Sequence, residues 1–164
     1  MKETGTSDVI SHFIKNWFEI EIYTKKKYAF LAKHTENAQA KAVFNQLSLA
    51  GERHAKNLQR IKELLIESGE INKEVTLPVS VRIPEESKPQ RWKTSVEATY
   101  HAMKSHLKIE AGLEEAYEEI SKKITNQEAK KRFHTMAMDE KKHHELLRGM
   151  IRLFEQIFKD TLKQ

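Results

Sequence analysis

The 164 residues contain no cysteine, which excludes disulfides, a thiolate zinc site, a cysteine nucleophile and an iron–sulfur or rubredoxin-type centre. Any metal must therefore be held by histidine and carboxylate. Glycine and proline are scarce, five and three residues, too few for the turns of a sheet protein, so long helices are expected. No apolar run approaches the roughly 18 residues of a membrane span, and the N-terminus lacks the basic, apolar, small-residue order of a secretory signal. A soluble cytoplasmic protein without a membrane partner is expected. A net charge of +5 raises the question of nucleic acid. The basic residues are spread among acidic ones along the whole chain, however, and Lys25, Lys26 and Lys27 form the only lysine triplet. Solvated helix faces account for this pattern, and no nucleic-acid partner is expected.

Segments near 7–34, 37–68, 95–123 and 126–158 are free of proline and rich in Ala, Leu, Glu and Lys, which predicts four helices. Thr94 with Glu97 and Thr125 with Glu128 have the capping-box spacing expected to start the third and fourth. The region 71–93 carries all three prolines and a β-branched patch from Val75 to Ile83. It reads as a long crossover between two tight antiparallel hairpins, giving an all-α four-helix bundle in one domain, 1–164. The halves also repeat. An offset of 89 residues aligns Glu21 with Glu110, Tyr28 with Tyr117, Asn37 with Asn126, Ala40 with Ala129, Lys41 with Lys130, Phe44 with Phe133, His54 with His143 and Leu58 with Leu147, without a gap. Such a repeat predicts similar hairpins related by a pseudo-two-fold axis.

Bundles pack through rows spaced three and four residues apart. The rows run Ile10, Ile14, Trp17, Glu21, Thr24, Tyr28, Leu31; Phe44, Leu47, Gly51, His54, Leu58, Ile61, Leu65; Thr99, Met103, His106, Glu110, Leu113, Tyr117, Ile120; and Phe133, Met136, Glu140, His143, Leu147, Met150, Phe154. Six ionisable residues interrupt these rows at one height: Glu21, His54, His106, Glu110, Glu140 and His143. Burying unpaired carboxylates costs several kcal/mol each, and the rows offer no Lys or Arg at that height. Divalent metal would supply the charge and accept neutral imidazole nitrogens. Taken singly, each Glu is better explained by protonation or a bond to Tyr28, Tyr117 or Thr24, and each His as a satisfied core histidine; the constellation of six favours metal.

With these residues the chain resembles the ferritin-like di-iron carboxylate proteins, and among them the rubrerythrin group. Their arrangement is one Glu from each of two helices and a Glu-x-x-His pair from each of the other two. Glu21 and Glu110 match the single glutamates, each followed seven residues later by a tyrosine, Tyr28 or Tyr117, and Glu140 to His143 is a complete pair. The chain departs from the pattern at Gly51, where the second pair should begin with the glutamate that bridges the two metals in the family. His54 is kept. The missing side chain is expected to leave space beside the metals, open to water, a small ligand or a carboxylate from elsewhere such as Glu114 or Glu52, and a Glu at 51 is expected to reach the cluster and restore the bridge. His106, whose repeat mate is Trp17, is a candidate extra ligand. His12, His101 and His144 read as surface residues.

The resemblance implies two iron ions, with manganese or zinc as alternatives, held by Glu21, His54, Glu110, Glu140 and His143, with Tyr28 and Tyr117 as hydrogen-bonding catalytic groups. It implies an oxidoreductase that reduces peroxide, or oxidises ferrous iron with peroxide or oxygen, self-associating as a homodimer. Without a rubredoxin domain in these residues, electrons come from a separate donor protein or from ferrous substrate. Two other readings stand beside it: a metal-binding or storage protein without turnover, and a metal-free helical interaction module.

Overall fold

The computed structural model describes residues 5–84 and 95–162. Four helices dominate it: α1 (Ile10–His34), α2 (Ala38–Glu67), α3 (Val96–Ser121) and α4 (Gln127–Leu162). Three residues join α1 to α2 and five join α3 to α4, so each pair is an antiparallel hairpin. The structure is thus the expected all-α, ferritin-like four-helix bundle. Two short strands, β1 (Thr6–Val9) and β2 (Glu74–Leu77), were not legible in the helical pattern. They pair antiparallel, Thr6 opposite Leu77 and Val9 opposite Glu74, and tie the start of α1 to the crossover.

The helix ends correct the expected caps. Thr94 lies outside the described residues, and Ser95 is the N-cap of α3, its side chain accepting from the Ala98 amide. At α4 the cap is Asn126, which accepts from the Ala129 amide. Thr125 instead gives its amide and its hydroxyl to the Glu70 carboxylate, which also takes the Asn126 amide. A carboxylate from the far end of α2 thus satisfies amides at the start of α4, where the helix dipole favours negative charge. Val9 has no capping side chain, and α1 begins because the Ile10 and Ser11 amides donate to the crossover carbonyls of Lys73 and Ile71. At this same C-terminal end of α2, Gly69 at φ 77° closes the helix, with its amide on Ile66 and that of Glu70 on Leu65.

The internal repeat has a physical counterpart. Asn37 caps α2 by accepting from Ala40, as Asn126 does from Ala129. Tyr28 packs on Phe44 with ring centroids 5.8 Å apart at 29°, and their repeat mates Tyr117 and Phe133 lie 5.9 Å apart at 33°. The edge-on pair Trp17 and Tyr117 (5.4 Å, 89°) is matched by His106 and Tyr28 (4.8 Å, 88°).

The core falls into two apolar clusters. One contains Ile14, Trp17, Leu58, Leu113, Tyr117 and Phe133; the other contains Tyr28, Leu31, Phe44, Met103, Leu147 and Phe154. Along every helix the ionisable members of the inner row fall between the two.

At Gly51 the structure overturns the expected space. A Cβ there would stand 2.9 Å from the Glu21 carbonyl oxygen and 3.0 Å from the Lys25 amide nitrogen. The backbone of α1 therefore occupies the ground a side chain would need, and Ser48 adds a 2.8 Å bond to the Lys25 carbonyl at the same contact. A glutamate at 51 could not be received without parting the first hairpin. Gly149 is the natural control, a helical glycine whose Cβ would meet nothing within 4 Å. Gly51→Ala should lower the chemical-denaturation midpoint, because overpacking costs about 1–3 kcal/mol, outweighing a propensity gain of about 1 kcal/mol. Gly149→Ala should raise it. A rise in both variants would show that α1 yields freely and that Gly51 is not required for the close approach.

Candidate metal centre

The six row-interrupting residues are all buried: Glu21 1 %, Glu140 1 %, Glu110 2 %, His54 3 %, His106 3 % and His143 6 % exposed. Each arrives from a different point on the bundle because the three-and-four spacing of its helix turns it inward. Among the described residues, two groups of three could each hold an ion, Glu21 with His54 and Glu140, and Glu110 with Glu140 and His143, the ligand atoms of each group within 4.8 Å of one another. Glu140 belongs to both.

In the first group His54 Nδ1 lies 3.2 Å from Glu21 Oε1 and 2.7 Å from Glu140 Oε1. In the second, His143 Nδ1 lies 3.5 Å from Glu140 Oε2 and 3.9 Å from Glu110 Oε2. Those two carboxylate oxygens are fully buried and have no hydrogen-bond partner among the described residues. An orphaned buried carboxylate oxygen is costly, and two of them beside an imidazole nitrogen are the donor set that a transition metal takes. The residues present fit a metal cluster.

Charge is unevenly distributed across the two groups. Burial pushes the Glu21 carboxyl up to about 7, with the charge of Glu140 adding to the effect. Burial would also raise Glu140, but the neighbouring imidazoles, His143 at 3.5 Å from Oε2 and His54 at 2.7 Å from Oε1, bring it down to about 2. Burial disfavours the His54 cation, yet bonds to Asp139, Glu140 and Glu21 raise it to about 12. In the metal-free protein an imidazolium at His54 thus serves as a counter-charge, one supplied by histidine rather than by Lys or Arg. The Tyr117 hydroxyl donates to Glu21 Oε1 at 2.7 Å across the bundle. Burial holds both the Tyr28 and Tyr117 phenols well above their ordinary range, so both remain protonated; among the described residues the Tyr28 hydroxyl has no partner.

Asp139 was not singled out in the sequence. It is half-buried, and its Oδ2 lies 3.2 Å from His54 Nε2, so the ring turns Nδ1 toward the carboxylates. The bond to His54 holds the Asp139 carboxyl below its ordinary value. Internal repetition gives no warning of it, since its repeat mate is Ala50; the available signal is its place beside Glu140 on the flank of α4 that faces α2.

Other candidates lie elsewhere. Glu52 pairs with Lys25 and Lys56 at 3.5 and 3.6 Å, and Glu114 is half-exposed and in neither group; neither fills the bridging place. His12 pairs with Asp8 and His101 with Glu97 on the surface, while His144 is partly exposed. His106 belongs to neither three-residue group; its Nε2 lies 3.0 Å from Glu110 Oε1. Burial depresses its basicity to about 3, so its ring is neutral.

A family model described as Rubrerythrin matches residues 13–151, from α1 into α4, and includes all six buried residues. The chain belongs to the rubrerythrin family. No curated protein and no solved structure gives a significant match. Gly51 stands where the second Glu-x-x-His pair of a di-iron bundle would begin, and the chain has no cysteine for a rubredoxin-type centre.

Asp139→Ala should weaken metal binding by about 10–100-fold, the usual cost of losing a group that orients a ligand histidine. Competition against a chelator measures this, with Asp8→Ala as the surface control. Equal affinities in the two variants would remove Asp139 from any role at the centre.

Proposed function

We propose that the chain is a dinuclear non-haem iron protein that reduces peroxide or oxidises ferrous iron. The single observation that carries this reading is the sharing of Glu140 between two buried three-residue groups, two of whose carboxylate oxygens have no partner. Glu21, His54 and Glu140 would hold one ion, and Glu110, Glu140 and His143 the other. Two ferrous ions would supply the two electrons that convert peroxide, with two protons, to two waters, and would return to the ferrous state with electrons from a separate donor protein.

The chain's own residues hold and shield the centre. Tyr117 fixes one oxygen of Glu21, and Asp139 fixes the ring of His54. The apolar clusters above and below exclude bulk water, which strengthens every charge interaction between them. A groove of about 410 Å3 between α2 and α4 has His54 and Asp139 in its lining, together with Arg53, Lys56, Arg60 and Arg132, and offers a small substrate a path to the first position.

A second reading, metal storage without turnover, is favoured by Gly51, since the set lacks the fourth carboxylate that would neutralise two divalent ions. The two are separated by peroxide consumption. After anaerobic ferrous loading, elemental analysis should give one to two iron ions per chain, and each pair of ferrous ions should consume one peroxide; bound iron that leaves peroxide untouched selects storage. Less than about a tenth of an equivalent of metal, far below what ligands of this number and burial retain, removes both. Glu140→Ala and His143→Ala should each lower metal content by at least the 10–100-fold in affinity typical of a supporting group, while His144→Ala should not. Equal retention in all three would place the ligands on the wrong face of α4.

A further inference from the structure

The pseudo-two-fold that relates the hairpins makes a definite demand. Tyr117 donates to Glu21 at 2.7 Å, so its repeat mate Tyr28 should donate to Glu110, the repeat mate of Glu21. It does not. The Tyr28 hydroxyl is fully buried and has no hydrogen-bond partner among the described residues, although its ring keeps the same packing on Phe44 that Tyr117 has on Phe133. Glu110 Oε1 is instead met by His106 Nε2 at 3.0 Å. His106 stands edge-on to Tyr28 at 4.8 Å, in the place where Trp17 stands edge-on to Tyr117. Trp17 and His106 are themselves repeat mates, so one exchange in the repeat accounts for both the orphaned phenol and the new bond.

We infer that His106 is a positioning residue that replaces Tyr28 as the donor holding Glu110, so that the two halves of the centre are fixed by different groups, a phenol on Glu21 and an imidazole on Glu110. The inference rests on Glu110 being a ligand of the proposed centre. A neutral ring donating from Nε2 has a bare Nδ1, in keeping with the absence of any partner for His106 Nδ1. The arrangement also makes the two tyrosines unequal: Tyr117 carries a ligand, and Tyr28 does not.

Two experiments on the full chain test this, one without metal. In the metal-free protein, long-range proton–nitrogen correlation of the imidazoles should show His106 as the Nε2–H tautomer, and a bare Nε2 would overturn the proposal whether or not the protein takes up metal. In the second, manganous ion is titrated into wild type and four variants. Tyr117→Phe and His106→Leu should each weaken one manganous ion by about 10-fold or more. Tyr28→Phe should bind as wild type does, and His106→Gln, which keeps an N–H donor, should recover what His106→Leu loses. Equal losses in Tyr28→Phe and Tyr117→Phe would restore the symmetric arrangement and overturn the inference, as would wild-type binding by His106→Leu. With cobaltous ion as the probe, a fall in the number of nitrogen ligands in His106→Gln would show that His106 is bound to metal directly, which also overturns it. Failure of wild type to bind any metal would strike the proposed function, leaving the tautomer to decide the hydrogen bond.

Discussion

Three carboxylates buried at mid-height between two apolar clusters are the constraint around which this bundle is arranged. Glu21, Glu110 and Glu140 cannot reach water, and each would cost several kcal/mol if left ionised without a partner. The surrounding groups answer that cost locally: the Tyr117 hydroxyl on Glu21, His54 between Glu21 and Glu140, and His106 on Glu110. What these leave over, one oxygen on Glu110 and one on Glu140, is the part of the demand that a bound cation would meet. Membership of the rubrerythrin family and the geometry of the centre therefore point the same way.

The centre is built by repetition and then altered at three paired positions. Glu140 has Gly51 as its mate, Asp139 has Ala50, and His106 has Trp17. The first exchange removes a carboxylate and brings the backbone of α1 against α2. The second gives His54 an orienting partner, Asp139, that repetition does not give His143. The third changes the donor on Glu110. A duplicated hairpin supplies two similar half-sites, and exchanges that retain the packing of the aromatic pairs make the halves chemically different.

Much of this was legible along the chain, for reasons that differ from residue to residue. Helices of 25 to 36 residues impose a strict inner row, so the inward direction of Glu21, His54, Glu110, Glu140 and His143 followed from spacing. Helix ends were less legible because they answer to distant groups. Thr125 has the spacing of a cap, but it serves Glu70, and the first turn of α1 is satisfied by crossover carbonyls. Gly51 was misread because a missing side chain says nothing about what fills its place.

By itself the sequence determined the four helices, their pairing into repeated hairpins, the absence of any thiolate ligand and the height at which carboxylates and histidines gather. These depend on local periodicity and composition, which each helix carries within its own residues. Only the tertiary structure decided that Glu140 is shared by both groups, that α1 closes over Gly51, that Asp139 reaches His54 and that His106 stands where Tyr28 would be expected to donate. Those outcomes depend on how closely two helix axes approach and on which of two competing donors reaches an oxygen first, and distances between helices are not encoded in the spacing along any one of them.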